Sequence, residues 1–136
     1  MQGAQGSSKD LRDEFELVED GIQVLNEFPL IVGFDNFNAA GSKFVNVPWA
    51  GKIVRVWAVN SAANATAATV ITLELSGVLV TMPALSFGSA DPAETVISSI
   101  PTALNIVTSG AAIEIISDGG GSTIMPATIM LIVQRT

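Results

Sequence analysis

The 136-residue chain contains no cysteine, no histidine and no tyrosine, and only 14% of its residues are charged. Each shortage excludes something. Without cysteine there is no thiolate nucleophile and no disulfide framework. Without cysteine and histidine together there is no zinc or iron site of the usual ligand types, no serine triad that depends on imidazole, and no histidine proton shuttle. The missing thiols also remove the usual inference from disulfides to a compartment. Basic residues are scarce: six Lys and Arg against 13 Asp and Glu, for a formal net charge of -7. Nucleic-acid binding needs clustered positive charge, so it is not expected. No apolar run approaches the roughly 18 residues that a membrane-crossing helix requires. The opening MQGAQGSSKDLRDEFELVEDG is polar and acidic, unlike a signal peptide. The expectation is a soluble protein of one domain, large enough to bury a core without disulfides or a structural metal.

What charge there is lies unevenly. Residues 1–27 hold Asp10, Asp13, Glu14, Glu16, Glu19, Asp20 and Glu27 against Lys9 and Arg12, leaving six acids and four bases for residues 28–136. The second region is therefore about 9% charged, against roughly 25% for an ordinary soluble domain. So neutral a surface usually marks association. The division predicts an acidic N-terminal arm over 1–27 and a domain over 28–136. Within the arm, Leu11, Phe15, Val18, Ile22 and Leu25 recur at helical spacing. The residues around Asp20-Gly21 also alternate as a hairpin would. Gly21 would cost a helix interior about 1 kcal/mol relative to Ala, which favours an extended or hairpin form.

From Phe28 the period becomes two. The runs 28–34, 43–47, 52–60, 69–75, 78–82, 94–100, 112–118 and 127–135 are rich in Val, Ile, Thr and aromatics and are bounded by Gly, Pro, Asn, Asp or Ser. Eight such strands with no helical stretch predict an all-β antiparallel sandwich of jelly-roll type. KIVRVWAV is apolar on both sides of its alternation, as for a strand covered on both faces. Ser76-Gly77 fits a tight hairpin turn. Gly119-Gly120-Gly121 reads as a wide, mobile turn, and 60–68 and 84–93 read as loops of small residues.

Candidate chemistry is thin. DGGGS lacks the Lys-Ser/Thr and the helix that a phosphate loop needs. Glu74 and Glu114, each between apolar neighbours in a strand run, are expected to face solvent; an acid/base pair would need them side by side. Asp35, Asn36 and Asn38 form the densest oxygen cluster, which suits either calcium or, more simply, an Asx turn. Asn64-Ala65-Thr66 matches a glycosylation acceptor with no leader to deliver it. Trp57 is expected in the core and Trp49 on an exposed or interface surface. No catalytic residue, metal site or cofactor site is predicted, and the protein is not expected to be an enzyme.

From Val47 onward the chain carries ordered turn motifs: Pro48 to Lys52 (PWAGK) leading into a strand that ends Val59-Asn60-Ser61, then Thr102 to Gly110 (TALNIVTSG), then Ser117 to Gly120 (SDGG) before the last strand. In this order they resemble the capsid cement, or head decoration, proteins of tailed bacteriophages. The resemblance covers about residues 45–136. It implies a jelly-roll-like sandwich that forms homotrimers, is made in the host cytoplasm, and sits on the outer surface of an icosahedral virion. There it would bind the major capsid protein and clamp neighbouring capsomers. On this reading Leu11, Phe15, Leu17 and Ile22 of the arm contact the capsid, and Trp49 and Phe87 lie between subunits. Nucleic acid and membrane are not expected partners. The alternative is a carbohydrate- or receptor-binding jelly-roll module of a phage fibre or spike, using Trp49 with Asp35, Asn36 and Asn38.

Overall fold

The computed structural model describes residues 26–136. The predicted capsid contacts Leu11, Phe15, Leu17 and Ile22 lie outside the described residues. Ten strands occur among those described: β1 (Glu27–Phe34), β2 (Gly41–Asn46), β3 (Gly51–Asn60), β4 (Thr69–Leu75), β5 (Val78–Leu79), β6 (Leu85–Phe87), β7 (Val96–Ser99), β8 (Ile106–Val107), β9 (Ala112–Ser117) and β10 (Ala127–Arg135). They form two five-stranded antiparallel sheets. The first runs β1-β10-β3-β7 with β8 also on β3, and the second β2-β9-β4-β5 with β6 also on β4. The pairing is nested, first strand with last and second with last but one. That is the signature of a chain folded back on itself and rolled into a jelly roll.

Alternation explains which residues go inside. In β10, Ala127, Ile129, Leu131 and Val133 are buried, while Thr128, Met130 and Ile132 point the other way. Against it β1 turns Phe28, Leu30 and Val32 towards the core, and β3 turns in Ile53, Val56 and Ala58. The second sheet answers with Ile71, Leu73, Ile113 and Ile115, all buried. A bulge between Ile132 and Val133 places Val54 as the extra residue of β3, so that Ile53 still faces in and Arg55 out. One end of the sandwich is closed by rings: Phe37 packs edge-to-face on Phe34 at 4.7 Å and on Phe87 at 6.3 Å.

The loops are held by buried amides. Asn38 donates through Nδ2 to Thr123 O at 2.8 Å and to Asn64 Oδ1 at 3.2 Å, and its Oδ1 accepts from the Thr69 hydroxyl. Asn64 Nδ2 donates in turn to Ala67 O (2.8 Å) and Gly88 O (3.0 Å). Asn60 accepts from Thr95 N and donates to Pro92 O, and Asn105 donates to Ile53 O. Among the described residues no buried side-chain polar atom lacks a partner, as the cost of an unpaired one requires.

Several expectations are corrected. β1 begins at Glu27, one residue inside the region assigned to the arm. The stretch 84–93 is not only a loop but contains β6, and Phe87, expected between subunits, is fully buried in the core and unavailable to a second chain. Of the run 78–82 only Val78–Leu79 is strand, followed by a single bridge from Thr81 to Ala103. β8 was not anticipated. The triglycine is no wide turn: a β-carbon on Gly119 would overlap the Ala40 backbone, and one on Gly120 the Ala68 carbonyl oxygen. It is a segment pressed between two loops. Ser76-Gly77, by contrast, is the tight turn expected, with φ of 52° and 78° at the two positions.

This contrast sets a stability prediction. Gly120→Ala, which must push two backbones apart, is expected to cost about 3 kcal/mol. Gly77→Ala, with open space around it but a left-handed φ, should cost only about 1 kcal/mol. Urea unfolding of the two variants checks the order.

Candidate functional site

Residues on the outer face of the first sheet form the most distinctive surface. Their positions follow from register. Ile31 of β1 lies opposite Met130 of β10, Met130 opposite Trp57 of β3, and Trp57 opposite Ser98 of β7. The next row runs Gly33, Thr128, Val59, Val96. Every strand of this sheet therefore turns apolar side chains outward as well as inward. Ile31 is 64% exposed, Val96 60% and Ile106, opposite Lys52 at the β8 end, 64%. A shallow concavity of about 300 Å³ lies among Ile31, Trp57, Val59, Val96, Thr128 and Met130, and its wall is apolar.

Trp57, expected in the core, points out onto this face and is half-buried there, with the Arg55 guanidinium 5.0 Å from its ring centroid. The guanidinium lies over one face of the indole, a cation–π contact. The sequence pattern of β3 is that of a strand with both faces covered, yet one face is open. Lone exposed apolar residues need no explanation, but a contiguous patch of them does.

Trp49, expected on an exposed surface, is 45% exposed. It lies at the opposite end of β1 from Phe34, edge-to-face with Phe28 at 5.3 Å and under the Arg135 guanidinium at 4.6 Å. Asp35, Asn36 and Asn38 follow Phe34, so β1 separates them from Trp49 by about seven residues, roughly 23 Å. They do not converge on one site. The Asx-turn reading of the cluster holds: Asn36 Oδ1 accepts from the backbone N–H groups of Asn38 and Met125, both at 3.1 Å, and Asn38 is buried in the network above. Asn64 is buried as well, which leaves its amide no room for a glycan.

Glu74 and Glu114 are brought together, directly opposite one another on β4 and β9. They sit half-exposed on the outer face of the second sheet, between Leu79 and Phe44 in the neighbouring strands. Like charges so placed repel, and the side chains that flank them in the neighbouring strands are apolar. The triglycine cannot cradle an anion, because the space its missing side chains leave is filled by Ala40, Ala68 and Asn38. Among the described residues no three Asp or Glu side chains converge as a metal site would need.

No protein-family model matches the chain, and no curated protein matches it. Solved structures do. The capsid structure of Helicobacter pylori bacteriophage KHP30 superposes with a TM-score of 0.50 at 11% identity, over 79% of this chain and 86% of that one. CsCBM6-3 from Clostridium stercorarium, solved with cellobiose, gives 0.46 at 14% identity, over 82% and 83%. Dimeric latent PorU from Porphyromonas gingivalis gives 0.49 at 14%, over 80% of this chain, which spans only 13% of PorU. At 11% identity the likeness to the phage capsid structure is one of fold.

If the outer face is a contact surface and not part of the core, polar substitution there should leave folding almost untouched. The double variant Ile31→Lys, Val96→Lys is expected to keep its urea unfolding free energy within about 1 kcal/mol of the parent. Burial-type losses of about 2 kcal/mol or more would instead make the face part of the fold.

Proposed function

We propose that the protein is a structural component of a phage virion that binds the outside of the icosahedral head and clamps neighbouring capsomers. The observation that carries this reading is the apolar outer face of the first sheet. It belongs to a region with four bases and six acids in 109 residues, and such a surface is suited to being covered by protein. The ordered turn motifs from Pro48 to Gly120 support it. So does the shared fold with a phage capsid structure, at the level of architecture.

On this proposal three copies close a homotrimer, since a closed ring avoids open-ended growth. Each copy offers the shell two contacts, its sheet face and its acidic arm. Contacts repeated three times on one body bind at high effective concentration, so each can be weak. The acids of the arm orient the docking more than they tighten it, and make it sensitive to salt.

The carbohydrate-binding alternative rests on Trp49 and the Asp35–Asn38 cluster, which the fold places at opposite ends of β1. A sugar ring needs its aromatic platform and its polar partners within one pocket. Their separation counts against that pair as a sugar site.

The full chain should sediment as a trimer and bind expanded heads but not DNA. Ile31→Lys, Val96→Lys should remain trimeric and lose most of its head binding in a co-sedimentation assay. Removal of residues 1–25 should likewise spare the trimer and weaken attachment. Undiminished attachment of both variants would overturn the proposal, as would glycan-array binding that Trp49→Ala abolishes.

A further inference from the structure

The outer face of the second sheet exposes apolar side chains as well, and the capsid reading makes no use of it. One row crosses its four strands: Phe44 of β2, Glu114 of β9, Glu74 of β4 and Leu79 of β5. Phe44 is 64% exposed and Leu79 52%, so two acids stand between two open apolar side chains. Neighbouring strands lie about 4.8 Å apart, which spreads the row over roughly 14 Å. Carboxylates directly opposite one another destabilise a sheet. The only base in the strands of that sheet, Lys43, is turned away from them. Its Nζ donates to Gly33 O at 2.6 Å and lies 5.4 Å from the Phe34 ring centroid.

The first sheet offers the complementary order. Along β3 from the concavity come Trp57, Arg55 and Lys52, and Ile106 of β8 stands opposite Lys52. Trp57 to Arg55 is two residues, about 7 Å of strand. The bulge at Val54 makes the step from Arg55 to Lys52 equal to two residues of β10, so this row is also roughly 14 Å long. Arg135 is no part of it, since it lies over Trp49 at the end of the sheet. Glu27 is two strands away from Lys52, on the edge strand β1. One face thus reads apolar, base, base, apolar, and the other apolar, acid, acid, apolar. Pairing either face with its own kind sets like charges together; only the first face against the second joins opposite ones.

We propose that the outer face of the first sheet of one copy seats on the outer face of the second sheet of another, with the two rows superposed and the strands crossing at nearly a right angle. Phe44 then enters the concavity beside Trp57. Arg55, about 7 Å along its row, falls between Glu114 and Glu74, about 5 and 10 Å along theirs, and turns their mutual repulsion into attraction. Leu79 meets Ile106. Two crossed four-stranded faces overlap over about 19 Å each way, a few hundred Å² per copy against roughly 800 Å² for a standard interface, so the contact is weak. Because the two faces are on opposite sides of the sandwich, the contact is heterologous and repeats in line. It links one assembly to the next at high concentration and leaves closure of the trimer to other surfaces. The link goes beyond the virion reading and needs no head; on that reading a shell takes the first face and displaces it.

Sedimentation velocity of the full chain without heads, from about 10 μM to about 1 mM, tests it. The mean sedimentation coefficient should rise with concentration at low salt, and the rise should shrink several-fold in about 0.5 M salt. The double variants Lys52→Glu, Arg55→Glu and Glu74→Lys, Glu114→Lys should each abolish the rise. An equimolar mixture of the two should recover it, as should one chain carrying all four substitutions. Phe44→Ser, which changes no charge, should weaken it several-fold. A parent that shows no rise overturns the proposal, as does a rise that either double variant retains. So does a mixture that recovers nothing when both variants unfold in urea as the parent does. Should a double variant fail to fold, the parent's salt series and Phe44→Ser decide: a rise indifferent to either one overturns the proposal.

Discussion

The antiparallel pairing of β1 with β10 is the contact on which the rest of the sandwich depends. It joins Glu27–Phe34 to Ala127–Arg135 across almost the whole described chain, and it places β10 centrally, with β3 on its other edge. Once β10 is seated, Ile129, Leu131 and Val133 have partners on both sides and the second sheet has a floor to pack on. Pairing strands so distant in sequence closes very large loops, which makes folding slow compared with a helical protein of the same size. The buried asparagines address the same difficulty at the other scale. Asn38, Asn64 and Asn60 tie 36–40, 64–69, 88–95 and 123–126 together, replacing many weak loop contacts by a few directional ones that tolerate no unpaired member.

How far this was legible in the sequence varied with how local the cause was. Runs such as TVITLEL and ATIMLIVQR announce themselves because alternation is a property of the strand alone. β6 and β8 are two or three residues long, too short for a period, and exist only because β4 and β3 offer edges to them. Phe87 looked like an exposed ring among small residues; its burial follows from Phe37 arriving from a distant loop to meet it. The close packing of the triglycine is hidden from the sequence for a similar reason. Nothing local to 119–121 says that Ala40 and Ala68 will press against it, although three consecutive residues without side chains are the one composition that permits such an approach.

The same limit applies to the candidate surface, with an instructive difference. KIVRVWAV is apolar on both sides of its alternation, which predicts a strand covered on both faces, but the fold supplies a cover for only one of them. Ile53, Val56 and Ala58 find the core, while Trp57 and Val59 do not. The nearest thing to a cover inside the domain is the Arg55 guanidinium lying over the Trp57 indole. A strand pattern that demands two covers in a structure that provides one is a local statement of incompleteness, independent of any likeness to other proteins.

That incompleteness also reconciles the fold with the uneven charge. A jelly roll by itself implies no activity, since function resides in what is placed upon it. Here the acids are concentrated ahead of Asn26, and three of the four bases of the described chain lie on β3 and β10. If the neutrality of residues 28–136 served only to fill a core, it would stop at the inner faces of the sheets. It continues through Ile31, Val59, Val96 and Ile106 on the outside of one sheet, and through Phe44 and Leu79 on either side of Glu74 and Glu114 on the outside of the other. The two outer faces thus share apolar exposure and differ in charge, with Lys52 and Arg55 on the first sheet and Glu74 and Glu114 on the second, and that difference, more than the fold, is what a partner could distinguish.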